Sequence, residues 1–195
     1  MLSQPFVLLC LFFAFHLTSN VWTLTTSRDF LKYIGDENNT YLAIFTLLGP
    51  LSLVALPFQD TIIQKFGFHA ALQAVNILSI AHSIIKVSSN NLNAQVLGFV
   101  IFSFFRCFLF SVTFSFIPKI VSFHLVGQGV GIFYMIGGVF SLLNIALAKA
   151  TIAVFDGDFF IPNLIFLLLN IPCIYIIWRV KKDMEQDERA KNQTA

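Results

Sequence analysis

Long apolar runs separated by short polar joins set the pattern of this chain. A helix needs roughly 20 mostly apolar residues to cross a bilayer. Six runs approach or pass that length, at about 5–26, 41–63, 70–87, 94–117, 127–154 and 159–178. The joins read RDFLKYIGDENN, QKFGFH, SSNNLN, PKIVSFHLV and DGD. The pattern predicts an all-α membrane protein, with six transmembrane helices over 1–178 and a hydrophilic tail over 179–195. The first run needs its own argument. MLSQPFVLLCLFFAF resembles the apolar core of a secretory signal, yet no Lys or Arg precedes that core and no small-x-small site follows Phe15. The weakly polar continuation HLTSNVWTLTT carries the run to spanning length, which favours a first transmembrane helix over a cleaved signal.

Charge at the helix ends orients the chain. An even number of spans puts both termini on one side. That side collects Lys65, Lys119, Arg179, Lys181, Lys182, Arg189 and Lys191, against Arg28, Lys32, Lys86 and Lys149 on the other. Cytoplasmic loops carry the excess of Lys and Arg, so both termini and the tail are expected in the cytoplasm. The sequon Asn38-Asn39-Thr40 then lies outside, where Asn38 is a candidate glycosylation acceptor, though the sequon is short and close to the next helix.

Polar residues within the runs are the candidate functional groups. Arg106 stands near the middle of the fourth run, where snorkelling to a headgroup is out of easy reach. At about 100° per residue, Ser103 and Thr113 fall on its side of the helix and Ser115 opposite. Such a face suits a bundle interior or an aqueous cavity, with Arg106 on an anionic substrate group, an acidic partner or backbone carbonyls. In the third run Gln73, Asn76, Ser79 and Ser83 share a face, with His82 to one side. Amides and hydroxyls there more often join neighbouring helices than bind ligands. His16, Asn144 and Asn170 are isolated and read as packing residues. The fifth run opens with a small-xxx-small pair, Gly127 and Gly131, followed by Gly137 and Gly138. These glycines serve close helix packing, or bending that gates a path. Pro50, Pro57, Pro118, Pro162 and Pro172 interrupt or close the runs.

Composition narrows the function classes. Hydrophobic residues make up 57% of the chain, charged residues only 11%, and mean hydropathy is +0.80. A soluble domain carries roughly 25% charged residues. The net charge of +2 is spread between apolar runs, so no nucleic-acid partner is expected. Cys10, Cys107 and Cys173 have neither disulfide-framework nor zinc spacing, and the four histidines lack metal-ligand spacing. With no GxSxG and no phosphate-cradling loop, no catalytic residue, metal or cofactor is expected, and an enzyme is disfavoured.

Certain stretches resemble a known family. QKFGFH, preceded by Asp60 and containing Lys65 and Gly67, is similar to the acid-basic-x-Gly-basic-basic loop of the major facilitator superfamily. Gln64 stands where that motif has its acid, Phe68 and His69 where it has basic residues. FFRCFLFSVTFSFIPKIVSFHLVGQGVGIFYMIGGVFSLLNIAL resembles helices ten and eleven of the large neutral amino acid facilitators of the solute carrier type. TLTTSRDFLKYIGDENNTYLAIFTLLGPLSLVALP resembles the join of their helices seven and eight. The resemblance covers most of 5–178, and implies the C-terminal six-helix half of such a transporter. It implies facilitated diffusion of amino acids or similar small solutes by alternating access. Spans one, two, four and five would then line the path, with Arg106, Ser103, Thr113 and Asn76 as candidate substrate-binding residues. A half implies either a truncated piece of a twelve-helix transporter or a half-transporter that pairs with a second six-helix half or another copy of the chain. The alternative is a transporter-derived assembly or regulatory subunit that moves no solute.

Overall fold

In the computed structural model, residues 4–121 and 123–194 are described, with the side chains of all but Phe123 and 184–194. Every regular element among them is helical: α1 (Gln4–Tyr33), α2 (Thr40–Leu48), α3 (Ala55–Ser88), α4 (Leu92–Ile120), α5 (Val126–Ser141), α6 (Leu143–Ala153) and α7 (Phe160–Thr194), with 3-10 turns at Gly49–Val54 and Phe123–Leu125. Five helical stretches are long and apolar enough to cross a bilayer, the make-up of a multi-pass membrane protein. The apolar pattern gives six runs because two of them, 41–63 and 70–87, fall in one stretch, Thr40–Ser88. That stretch is broken within α3 at Gly67, whose φ of 80° and ψ of 176° leave the helical region. Glycine occupies such a conformation without a Cβ penalty. The fifth run is likewise divided, at Leu142 between α5 and α6. Beyond Trp178 the backbone of α7 continues as helix through the polar tail, and the side chains of Arg189 and Lys191 lie outside the described residues.

Local chemistry sets several of the ends. Gly35, at φ 106°, follows the last turns of α1. Asp36 next turns its carboxylate onto the start of α2, where Oδ1 accepts from Thr40 N at 2.9 Å and Oδ2 from Leu42 N at 3.1 Å. First-turn N–H groups have no partner within their own helix, and a carboxylate also suits the positive end of the helix dipole. Asn91 does the same for α4, its side chain accepting from Asn93 N at 3.0 Å. Asn38 is exposed in the turn between α1 and α2.

Contacts along the helices fix their relative directions. Tyr41 meets Asn93, Phe45 meets Phe99 and Phe102, and Leu48 meets Ser103, so α2 runs in the same sense as α4. Phe68 meets Phe116 while His82 meets Phe102 and Gly98, so α3 beyond Gly67 runs in the opposite sense. The chain therefore travels along α4 and returns, reversing around Gly67. Helix α1 is antiparallel to α7, through His16–Cys173, Trp22–Asn163 and Phe30–Phe159. It is parallel to α5, through Phe6 and Phe13 on Phe133 and Leu17 beside Gly137.

Helix α1 is the centre of the bundle. Leu9, Phe13 and Ala14 are wholly buried, and Phe12 nearly so. Its phenylalanines pack edge-on and tilted against Phe110 of α4 and Phe133 and Tyr134 of α5. Hydrocarbon is as apolar as these rings, so close fit rather than expulsion of water holds them together. The closest approach is at Gly137, where an added Cβ would stand 2.5 Å from Leu17 Cδ2. At Gly129 it would stand 3.2 Å from Ile117 Cγ2. Gly127, Gly131 and Gly138 have no described atom within 4 Å of such a Cβ, so the small-xxx-small pair lies off this interface.

Gly137→Val is expected to destabilise the bundle by about 1–3 kcal/mol through overpacking. Gly131→Ala should change stability by less than about 0.5 kcal/mol. Thermal unfolding in mixed micelles measures both, and equal losses would contradict the assigned α1–α5 approach.

Candidate functional site

Seven residues make almost two helical turns, so Phe99, Arg106 and Thr113 form one stripe along α4. Phe99 and Thr113 are buried, at 5% and 0% exposure, but Arg106 between them is exposed. The neighbours explain the gap. Helix α2 covers α4 at the level of Phe99 through Phe45, and α5 reaches it at Phe114 through Tyr134. Arg106 lies between these two contacts, and no hydrogen bond or ion pair to a described residue holds its guanidinium.

The hydroxyls expected beside it are engaged elsewhere. Ser103 Oγ lies 2.9 Å from the carbonyl of Phe99 and 3.0 Å from that of Leu48, where α2 gives way to a 3-10 turn. Thr113 Oγ1 donates to Leu109 O at 2.7 Å, one turn back on α4. Asn76 belongs to a different interface. It is buried, and its Nδ2 reaches the Asn170 carbonyl at 3.5 Å. The four residues therefore do not converge: Arg106 looks outward, while Ser103, Thr113 and Asn76 are buried. In the loop motif, Asp60 and Lys65 are exposed and Gly67 makes the break in α3.

A second polar feature runs through the interior. The latter half of α1 buries His16, Asn20, Thr23 and Ser27, facing Ser79 and His82 of α3 and Asn163 and Asn170 of α7. Trp22 Nε1 donates to Asn163 Oδ1 at 3.2 Å, and Asn144 Nδ2 of α6 to the Thr18 carbonyl at 3.0 Å. His82 spans three helices, with Nδ1 at 3.1 Å from Gly98 O of α4 and Nε2 at 3.4 Å from Thr23 Oγ1 of α1. The cavity lined by His16, Ser79 and Asn170 measures about 10 Å³. That is room for about one water, far below the roughly 300 Å³ from which small-molecule sites begin. The seam joins helices and is too tight to be a solute path.

The polar half of α1 reads as a weak extension of an apolar run because Thr and Ser have little hydropathy of either sign. The signal that could have found it is the spacing of His16, Asn20, Thr23 and Ser27 along one helical face. Among the described residues, no three His, Cys, Asp or Glu side chains gather where a metal ion could be held, and the three cysteines are free thiols.

No family model matches the chain, and no solved structure matches it. It is 23% identical over 175 residues to Protein FMP42 of Saccharomyces cerevisiae (strain ATCC 204508 / S288c), a similarity covering 87% of this chain and 35% of that protein. The chain thus spans about a third of the length of the relative it matches.

His82→Phe should cost about 1–2 kcal/mol, because it leaves the Gly98 carbonyl and the Thr23 hydroxyl without the imidazole. Thr23→Val removes only the longer contact and should cost less than half as much. Equilibrium unfolding in micelles compares them, and a larger loss in Thr23→Val would contradict the assigned roles.

Proposed function

We propose that the chain is one six-helix unit of a membrane transporter that moves amino acids or similar small organic solutes by facilitated diffusion. The observation that carries this reading is Arg106, exposed in the middle of an apolar helix and unpaired among the described residues. An arginine facing acyl chains at mid-bilayer costs at least about 3 kcal/mol. The guanidinium therefore faces water or protein beyond this bundle, and a path between two helical units supplies both. Little of the described bundle covers the elements flanking Arg106: α2 buries no residue, and α5 only Gly129, Phe133 and Gly137. A second unit, whether another six-helix half or a second copy, would cover them.

The stretch Thr40–Ser88 crosses the membrane twice in this reading. Its 49 residues would extend about 74 Å as straight helix, more than two crossings of a roughly 30 Å core. The limbs on either side of Gly67 run in opposite senses along α4. Six crossings place both termini on the Lys-rich cytoplasmic side with Gly67, Lys65 and Lys119, and Asn38 outside. Lys119 Nζ sits 3.9 Å from the ring centroid of Phe68, which puts it at the same end as the Gly67 turn.

Reporter tags at the N-terminus and after Asp183 should both be cytoplasmic, and a tag inserted beside Gly67 should be cytoplasmic too. Termini on opposite sides would contradict the double crossing. In proteoliposomes the chain, alone or with its second unit, should take up a labelled neutral amino acid. Arg106→Ala should lower uptake at least roughly tenfold, with folding unchanged, if the arginine contacts the solute. No uptake under any pairing would reject transport and leave the assembly-subunit reading.

A further inference from the structure

The two ends of the bundle differ in charge. Where α1 and α3 finish, Asp29, Glu37 and Asp156 are exposed beside Arg28, Lys32 and Lys149, and Asp36 and Asp158 add further carboxylates. The end that holds the Gly67 turn is basic. Cys173 of α7 lies against His16 of α1, and the two helices are antiparallel. Lys182, nine residues beyond Cys173, therefore comes level with Phe6, ten residues before His16, each about 15 Å from that contact. Phe6 marks the level of the end of α4, because a Cβ on Gly129 would stand 3.7 Å from Phe6 Cε2 and 3.2 Å from Ile117 Cγ2. Lys119 follows Ile117 by two residues and lies over Phe68, just past Gly67. Lys65, Lys119 and Lys182 are all exposed at this end, and Asp60 and Asp183 are the described carboxylates that accompany them.

Two of these ammonium groups rest on rings rather than on carboxylates. Lys119 Nζ is 3.9 Å from the centroid of Phe68, and Lys182 Nζ 5.5 Å from that of Trp178. Trp178 packs on Tyr175 at 6.0 Å, and both side chains are more than half exposed, as is Phe66 beside the turn. Exposed Trp and Tyr next to Lys mark a segment at headgroup level, rings in the apolar boundary and ammonium groups toward the phosphates. A ring face attracts a cation without cancelling its charge, so each ammonium can still take an anion on its far side. A phospholipid of net negative charge offers both the anion and acyl chains to lie against the rings. A zwitterionic lipid brings a cation of its own to the lysines, and a soluble phosphate brings no apolar part. We propose that the Gly67 end of the bundle binds anionic phospholipid, with Lys119 and Lys182 on headgroup phosphates and the exposed rings on acyl chains. Lys65 adds to the attraction at the turn. The proposal rests on the membrane-spanning bundle and its charge, not on what the bundle carries.

The test uses the full chain in mixed micelles of phosphatidylglycerol and phosphatidylcholine with identical acyl chains, and native mass spectrometry counts the lipids retained. Wild type should prefer phosphatidylglycerol by at least roughly fivefold, the increment expected from one lysine near an anionic surface. Lys119→Gln and Lys182→Gln should each lower that preference, and the double variant should bring the two lipids level. Lys149→Gln, at an exposed position toward the acidic end, should leave the preference unchanged. A second readout is local. Trp178 is 54% exposed and Trp22 only 1%, so quenching by lipids brominated on their acyl chains reports on Trp178. Brominated phosphatidylglycerol should quench wild type more strongly than brominated phosphatidylcholine, and the two should quench Lys182→Gln alike. Equal retention of both lipids by wild type overturns the proposal, as does a loss in Lys149→Gln as large as in the double variant. Displacement of phosphatidylglycerol by millimolar glycerol phosphate would also overturn it, because the site would then take a soluble phosphate. The wild-type comparison stands even if a variant fails to fold, and neither readout depends on uptake.

Discussion

Hydrocarbon offers no hydrogen bonds, so a polar group carried into the bilayer must find its partner within protein or in water that protein admits. Much of this architecture follows from that constraint. The latter half of α1 is too polar to face lipid, and it occupies the centre of the bundle with Trp22, Thr23 and Thr18 bonded to α7, α3 and α6. Its first half is a block of phenylalanines that fill the space between α4 and α5. One helix thus organises the others twice, by ring packing at one end and by hydrogen bonds at the other.

The same constraint sorts the interior polar groups from Arg106. Ser103, Thr113 and Asn170 each donate to a carbonyl of their own helix, which satisfies the group without needing a ligand. Arg106 has five donors and no such outlet. It lies on a stripe that is otherwise buried, at the level where α2 has left α4 and α5 has not yet reached it.

Much of this was legible in the residues. The apolar runs locate α4 to within a few residues at both ends and α7 at its start, and the glycine of QKFGFH marks the reversal in α3. Helical angle puts Ser103 and Thr113 on Arg106's side of α4, but it leaves open which of them a neighbour covers. Angle places a residue on a face but does not say how far along that face a neighbour extends, and α2 and α5 cover different levels of α4. The glycines show a similar limit. Gly127 and Gly131 have the expected spacing, yet Gly137 meets α1, because Leu17 happens to stand opposite it. The bonds from Trp22 to Asn163 and from Asn144 to the Thr18 carbonyl depend on contacts between distant segments, which no local pattern encodes.

The central claim is that the α4 face bearing Arg106 borders water rather than acyl chains. Single cysteines at positions 106 and 113, in a background where Cys10, Cys107 and Cys173 are replaced, test it directly with a membrane-impermeant thiol reagent on the chain in proteoliposomes. The account predicts rapid labelling of Arg106→Cys and none of the buried Thr113→Cys. If Arg106→Cys resists the aqueous reagent but reacts with a lipid-soluble one, the face borders lipid and the account is wrong.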